Sequence, residues 1–326
     1  MDNIFDLLIV GGGPIGMACG IEAQKAGLSH IIIEKGCLTN SLYNYPVNMT
    51  FFSTSDRLEI GDIPFVTTLP KPKRAEALEY YRRIDQKFQL NTHLFEEVIH
   101  VKRINHSEFL VKTTKDTYQA RHVVIATGFY DIPMNLNVPG ENLAKVRHYY
   151  NDPHYYAKQK VIVVGASNSS IDAALEIYRK GAEVTLVVRG TEISPRVKYW
   201  VRPDIENRIY AGEIQALFQS NITRITEQEV EIATPNGLVH LENDFVLALT
   251  GYRPNFDFLR RIGVDVPEIA PCIPVHNPQT METNLPGLYL AGVVCGGLNT
   301  HLWFIENSRV HAQMIVADIC SKNLAS

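Results

Sequence analysis

Two stretches of this chain carry residue types whose spacing suits phosphate chemistry. The first is Gly11-x-Gly13-x-x-Gly16, followed eighteen residues after Gly16 by Glu34. Gly11 lets the chain turn sharply off a strand. Gly13 lacks a Cβ, so a pyrophosphate can approach the backbone. Gly16 lets the following helix pack closely on the strand, and that helix directs its first N–H groups at the anion. A carboxylate at the end of the next strand, here Glu34, accepts hydrogen bonds from both hydroxyls of an adenosine ribose. The second stretch begins 154 residues later, at Gly165-Ala166-Ser167-Asn168-Ser169-Ser170, with serines in the second and third glycine slots. Here the strand end carries Arg189, with Arg196 and Lys198 beyond it. A base at that place suits a 2′-phosphate, because a guanidinium pairs with two phosphate oxygens at once. One acidic and one basic site imply two different dinucleotides, and FAD with NADPH satisfies both.

The elements that must position these residues follow from hydrophobic patterning. Residues 5–10 form an apolar strand, 17–28 a helix and 29–35 a second strand. Residues 160–164, 171–180 and 183–188 repeat that order, an internal duplication of one nucleotide-binding unit. Residues 73–90 read as an amphipathic helix, because Ala75, Leu78, Tyr81 and Ile84 recur at helical spacing. Residues 96–103, 108–114 and 117–127 read as three strands of an antiparallel layer inserted in the first unit. The third ends Ala126-Thr127-Gly128, which brings small residues beside a cofactor. The segment 41–53, with Asn44-Tyr45-Pro46 and Phe51-Phe52, is too aromatic for a disordered linker. It suits either a flavin-side loop or a loop packed by its own rings. Further strands are expected over 214–234 and 237–249, a Gly/Pro break at 250–255, a strand and turn over 286–292, and a helical tail over 303–317. The expected organisation is α/β, with two Rossmann-like dinucleotide-binding domains, three-layered with parallel central sheets. The FAD domain is discontinuous (1–127 plus 253–326) and the NADPH domain is inserted (128–252).

The 326 residues are 45% hydrophobic and 20% charged, ordinary for a globular protein. A net charge of −4 gives no reason to expect nucleic acid or an anionic membrane as partner. No segment approaches the ~20 apolar residues of a membrane span. Asp2 and Asp6 precede the first apolar run with no basic region, which is unlike a signal peptide. The five cysteines, Cys19, Cys37, Cys272, Cys295 and Cys320, make no CxxC and no metal-ligand spacing with histidines. Their scatter suits a reducing cytoplasm.

Along its whole length the sequence resembles the low-molecular-weight thioredoxin reductase superfamily, and within it the bacillithiol disulfide reductase family. The resemblance is carried by GGGPIG at Gly11, EKG at Glu34, SLYNYP at Ser41 and FFSTSDRLEIGDIPF at Phe51. IATGFY at Ile125, NSSIDAALE at Asn168, VVRG at Val187, SPRVKYW at Ser194, GYRPN at Gly251, LAGV at Leu290 and FIEN at Phe304 complete it. It implies a cytoplasmic NADPH- and FAD-dependent oxidoreductase without a CxxC, reducing the disulfide of a small thiol or acting on a small redox carrier protein. A homodimer is suggested by the relatives alone. Gly11, Gly13, Pro14, Ile15, Gly16, Glu34 and Lys35 are then expected on the adenosine pyrophosphate side of FAD. Asn44, Tyr45, Pro46, Thr127, Gly128, Gly292 and Val293 are expected on its flavin half; the resemblance makes Val293, in place of a common Asp, normal for this subgroup. Gly165, Ser167, Asn168, Ser169, Ser170, Arg189, Lys198 and Gly251 are expected to hold NADPH. The family commonly has a cysteine after the loop proline, where this chain has Ile15. No catalytic residue is assigned; Cys19, one helical turn on, and Cys295, just past Gly292, are the candidate redox thiols, with a small, buried and inert hydrophobe as the alternative reading of each. His301 and Glu306 read as helix-terminus residues, with a proton relay near the flavin as the alternative. Without a loop cysteine, a ferredoxin- or flavodoxin-NADP reductase is the rival enzyme class and a flavin monooxygenase a third. A non-catalytic flavin/NADPH-binding sensor is the rival outside enzymes.

Overall fold

The computed structural model describes residues 4–105 and 107–325. The chain separates into two compact units, Met1–Ile132 with Tyr252–Ser326, and Pro133–Gly251. In chain order the first unit opens with β1 (Phe5–Val10), α1 (Pro14–Lys25), β2 (His30–Ile33) and the short α2 (Asn40–Tyr43). It continues with α3 (Arg74–Phe88), β3 (Thr92–His93), β4 (Val98–Arg103), β5 (Phe109–Thr113), β6 (Thr117–Ile125) and β7 (Ile132–Pro133). The second unit holds β8 (Val146–Arg147), β9 (Lys160–Val164), α4 (Asn168–Tyr178), β10 (Glu183–Val187) and α5 (Arg202–Tyr210). Its last strands are β11 (Gln215–Leu217), β12 (Asn221–Ile225), β13 (Glu229–Thr234), β14 (Gly237–Glu242) and β15 (Phe245–Ala248). The chain re-enters the first unit through β16 (Tyr252–Arg253), α6 (Phe256–Arg261), β17 (Leu288–Leu290), α7 (Ile305–Ser308) and α8 (Val310–Ala325).

The first unit is built on a sheet ordered β3-β2-β1-β6-β5-β4, with β17 also beside β6. Strands β1 and β2 are near-continuous apolar runs because both of their faces are covered. Helix α1 is buried along most of its length and packs against α8. Close packing on β2 needs Gly20, where a Cβ would stand 2.8 Å from Ile32 Cδ1. The expected antiparallel layer is not a separate one. Strand β6 is long enough to serve two partners: Ala120–Ile125 run parallel to β1, while Thr117–Ala120 pair antiparallel with β5. The sheet is therefore mixed rather than purely parallel.

The second unit has a wholly parallel sheet, β11-β10-β9-β15-β8, and a three-stranded antiparallel sheet, β12-β13-β14. Helix α4 packs on β9 and β10. It begins three residues before the expected start, since Ser167 is the residue that enters it. Helices α5 and α6 carry no strong apolar periodicity and were not anticipated. Asn255 caps α6 by accepting from the Phe258 N–H at 3.0 Å. The tail is two helices, not one. The chain breaks at Arg309, whose guanidinium donates to the carbonyls of Glu59 at 2.6 Å and Asp56 at 3.3 Å.

Candidate functional site

The glycines of the first turn divide into two kinds. Gly11 has φ +109, and a Cβ there would stand 2.5 Å from the Ala126 carbonyl oxygen. A Cβ on Gly16 would stand 1.9 Å from the Gly11 oxygen. Both are required by the protein's own packing. At Gly13 no atom lies within 4 Å of where a Cβ would be. Gly13 is the residue that enters α1, where Pro14 occupies the first turn and no side chain caps the helix. An uncapped helix N-terminus beside an open glycine is a cradle for a phosphate.

Glu34 follows β2 and is 6% exposed. Its Oε2 accepts from Gly12 N–H at 2.8 Å and its Oε1 from Gly36 N–H at 2.9 Å. Each oxygen keeps a lone pair for a further donor, as a ribose diol requires. Burial raises its pKa, and the Gly36 and Gly12 N–H groups oppose that rise. Lys35 projects outward to Asp131, 2.8 Å away.

The residues expected near a flavin ring reach this turn from three directions. Ala126 N–H donates to Val10 O at 2.8 Å, which brings Thr127 beside Gly11. Gly128, at φ +69, has open space around its missing Cβ. Gly292, at φ +83, backs onto Ile15, whose Cγ1 is 3.3 Å from where a Cβ would stand. Val293 follows it, half-buried. Asn44 ends α2 with its amide turned back to the Asn40 carbonyl at 2.8 Å. Tyr45 lies edge-on to Tyr130 with centroids 4.7 Å apart, and Tyr130 packs on Tyr252 at 4.4 Å. Arg74 donates to the Tyr43 and Tyr45 carbonyls. Pro46 follows, half-buried. This loop is thus ordered by protein rings and one guanidinium.

One residue here escaped the sequence reading. His311 of α8 is 1% exposed, accepts the Gly292 N–H through Nδ1 at 3.1 Å, and stacks edge-on against Trp303 at 4.6 Å. A lone histidine within an apolar helix gives no local sign of a partner nineteen residues back. The candidate thiols are buried. Cys19 is 0% and Cys295 1% exposed, and all five cysteines are free. Burial pushes the Cys19 thiol up to about 12 and raises Cys295 further. A thiol without access and without thiolate is a small hydrophobe in this arrangement. His301 is exposed before α7, and Glu306 is half-buried in its first turn.

The second turn repeats the first, with informative differences. Gly165 N–H bonds Val187 O at 3.0 Å, as Gly11 N–H bonds Ile33 O at 2.8 Å. A Cβ on Gly165 would stand 2.6 Å from Leu249 O. Thr250-Gly251 follows that strand as Thr127-Gly128 follows β6. No side chain caps α4; Ser167 and Ser169 are exposed, and Ser170 Oγ donates to Ser167 O at 2.8 Å. Strand register corrects one placement. Val188 N–H bonds Leu217 O as Glu34 N–H bonds His93 O, each at 2.9 Å. Val188, fully buried, therefore occupies the place of Glu34, and exposed Arg189 comes one residue later, in the place of Lys35. The slot has lost its ribose acceptor and stands next to a solvent-facing base. The Lys198 side chain is 8% exposed, and its ammonium lies 2.6 Å from Asp172. Asn168 bonds the backbone of residues 196 and 198.

Among the described residues no cluster of His, Cys, Asp or Glu is arranged to hold a metal ion, and no helix is long and apolar enough to cross a membrane. The sequence family described as pyridine nucleotide-disulphide oxidoreductase matches residues 8–292. A bacilliredoxin reductase of Bacillus subtilis is 42% identical over 316 residues, 97% of each chain. Solved structures of bacillithiol disulfide reductases are similar throughout. That from Staphylococcus aureus has TM-score 0.96 and 40% identity over 99% of both chains. That from Bacillus cereus has 0.95 and 41% over 98% of this chain and 100% of its own. The chain belongs to the pyridine nucleotide-disulphide oxidoreductase family and, within it, to the bacillithiol disulfide reductases.

Proposed function

We propose that this oxidoreductase uses NADPH and FAD to reduce a low-molecular-weight disulfide of the bacillithiol type, free or carried on a small protein, in the cytoplasm. The first unit takes FAD and the second NADPH. The observation that carries this reading is one chain with two copies of the same cradle, ended by a buried carboxylate in one and a solvent-facing base in the other. The relatives at about 40% identity, named for bacilliredoxin and bacillithiol disulfide, supply the substrate class.

When bound, FAD supplies the two-electron chemistry between nicotinamide and disulfide. The chain's own work is placement. Gly13 and the first turn of α1 receive the pyrophosphate, and Glu34 accepts from the ribose. Thr127, Gly128 and the Gly292 turn approach the ring, with the Gly292 amide held by His311. In the second unit the start of α4 receives phosphate and Arg189 meets the 2′-phosphate. Ile15 stands beside Gly292, so this chain presents no thiol there, and its two nearest candidates are buried.

The test is anaerobic NADPH oxidation by the flavin-loaded protein, with bacillithiol disulfide, a bacillithiolated carrier protein and a ferredoxin as separate acceptors. Turnover with either of the first two supports the reading. Turnover with ferredoxin alone would favour the carrier-reductase alternative, which the burial of Cys19 and Cys295 also suits. Failure of NADPH to bleach a bound flavin would point to a sensor and overturn the redox assignment.

A further inference from the structure

In the second unit, residues 194–198 form a strap laid across the start of α4. Ser194 N–H donates to Ala166 O, within the glycine turn, at 3.0 Å. Asn168 then uses both ends of its amide on the strap: Nδ2 donates to Arg196 O at 3.1 Å, and Oδ1 accepts from Lys198 N–H at 2.8 Å. One helical turn further on the same face, Asp172 takes the Lys198 ammonium at 2.6 Å. Both ends of the amide are engaged within the protein, and the ammonium is held against a carboxylate. These contacts fix where the strap lies. Between Arg189 and the strap the chain has no regular structure; Ile193 and Val197 anchor the segment in the unit's core, and the Asn168 amide ties the Arg196 carbonyl to α4.

We propose that Asn168, Asp172 and Lys198 are positioning residues that dock the 194–198 strap on α4. By holding Arg196 near the cradle, they set the preference for NADPH over NADH without touching either cofactor. This rests on the second unit being the NADPH site. Bidentate recognition of a phosphate demands a guanidinium held in place, not merely present.

The test measures binding of NADP+ and NAD+ to the flavin-loaded protein by calorimetry, beside its melting temperature. Asn168→Ala should weaken NADP+ about tenfold and NAD+ less than about twofold, the loss of roughly one hydrogen bond's worth of placement. Asp172→Asn should act in the same direction, and Lys198→Arg should retain the preference. Arg196→Ala should remove the effect: in that background Asn168→Ala should lose nothing further, because it acts through Arg196. Should Asp172→Asn fail to fold, Asn168→Ala alone decides. A lowered melting temperature with an unchanged NADP+/NAD+ ratio would make the clamp purely structural and overturn the proposal. A wild-type protein without preference for NADP+ would instead overturn the cofactor reading beneath it.

Discussion

Acid should loosen the first unit through one buried histidine. His311 accepts the Gly292 N–H through Nδ1, so it carries its proton on Nε2 and is neutral. Burial pushes its pKa from 6.5 down to about 4, and nearby His276 adds to the push. Below pH 6.5 the unfolded chain gains a proton that the folded chain refuses, so stability falls as pH drops from 6.5 to 4. For these two values a single site loses about 2 kcal/mol between pH 7 and pH 5, and about 3 kcal/mol by pH 4. His311→Asn keeps an acceptor near the Nδ1 position and cannot titrate. Trp303 packs on the His311 ring, so its fluorescence reports this place, and Trp200→Phe removes the only other indole. Urea unfolding in that background, at pH 7 and pH 5, should show the wild type losing about 2 kcal/mol more than His311→Asn. Equal losses in the two proteins would refute the argument that a buried neutral imidazole holds the Gly292 turn.

The two kinds of glycine predict opposite failures. Gly16→Ala drives a Cβ into the Gly11 carbonyl, a backbone atom that cannot swing away, and should cost more than about 3 kcal/mol and most of the folded yield. Gly13→Ala, at φ −74 with open space, should fold normally yet bind FAD about tenfold more weakly by calorimetry; unchanged affinity would remove the cradle argument. Cys19→Ala and Cys295→Ala should each cost about 1–2 kcal/mol from a small cavity and leave disulfide turnover within about twofold. Both thiols should resist a thiol reagent until the protein unfolds, and loss of turnover in a flavin-loaded variant would contradict their burial as inert groups. Arg189→Ala should raise the KM for NADPH about tenfold more than that for NADH, and equal increases would refute its role at a 2′-phosphate.

Much of the first site was legible because its signals are local. A strand, a turn of three spaced glycines and a helix need only neighbouring residues, and Glu34 ends the next strand in plain view. The antiparallel strands were legible as strands but not as part of the parallel sheet, since only the length of β6 lets one strand serve both. Arg189 was placed one residue off because apolar pattern marks a strand, not its register. The surroundings of Cys19 were not legible for a related reason. Helical spacing puts Cys19 below Ile15, yet whether that face meets solvent or the α8 side of the core depends on a helix three hundred residues away.

By itself the sequence determined the repeated strand–turn–helix unit, the opposite charges that end its two copies, and the family to which the chain belongs. Only the tertiary structure decided which partner each of these polar side chains has within the protein. Lys35 goes to Asp131, Lys198 to Asp172 and His311 to the Gly292 amide. The physical reason is range. Backbone conformation responds to residues within a turn or two, whereas the partner of a charged or polar side chain is whatever the packing of distant elements brings within about 3 Å of it.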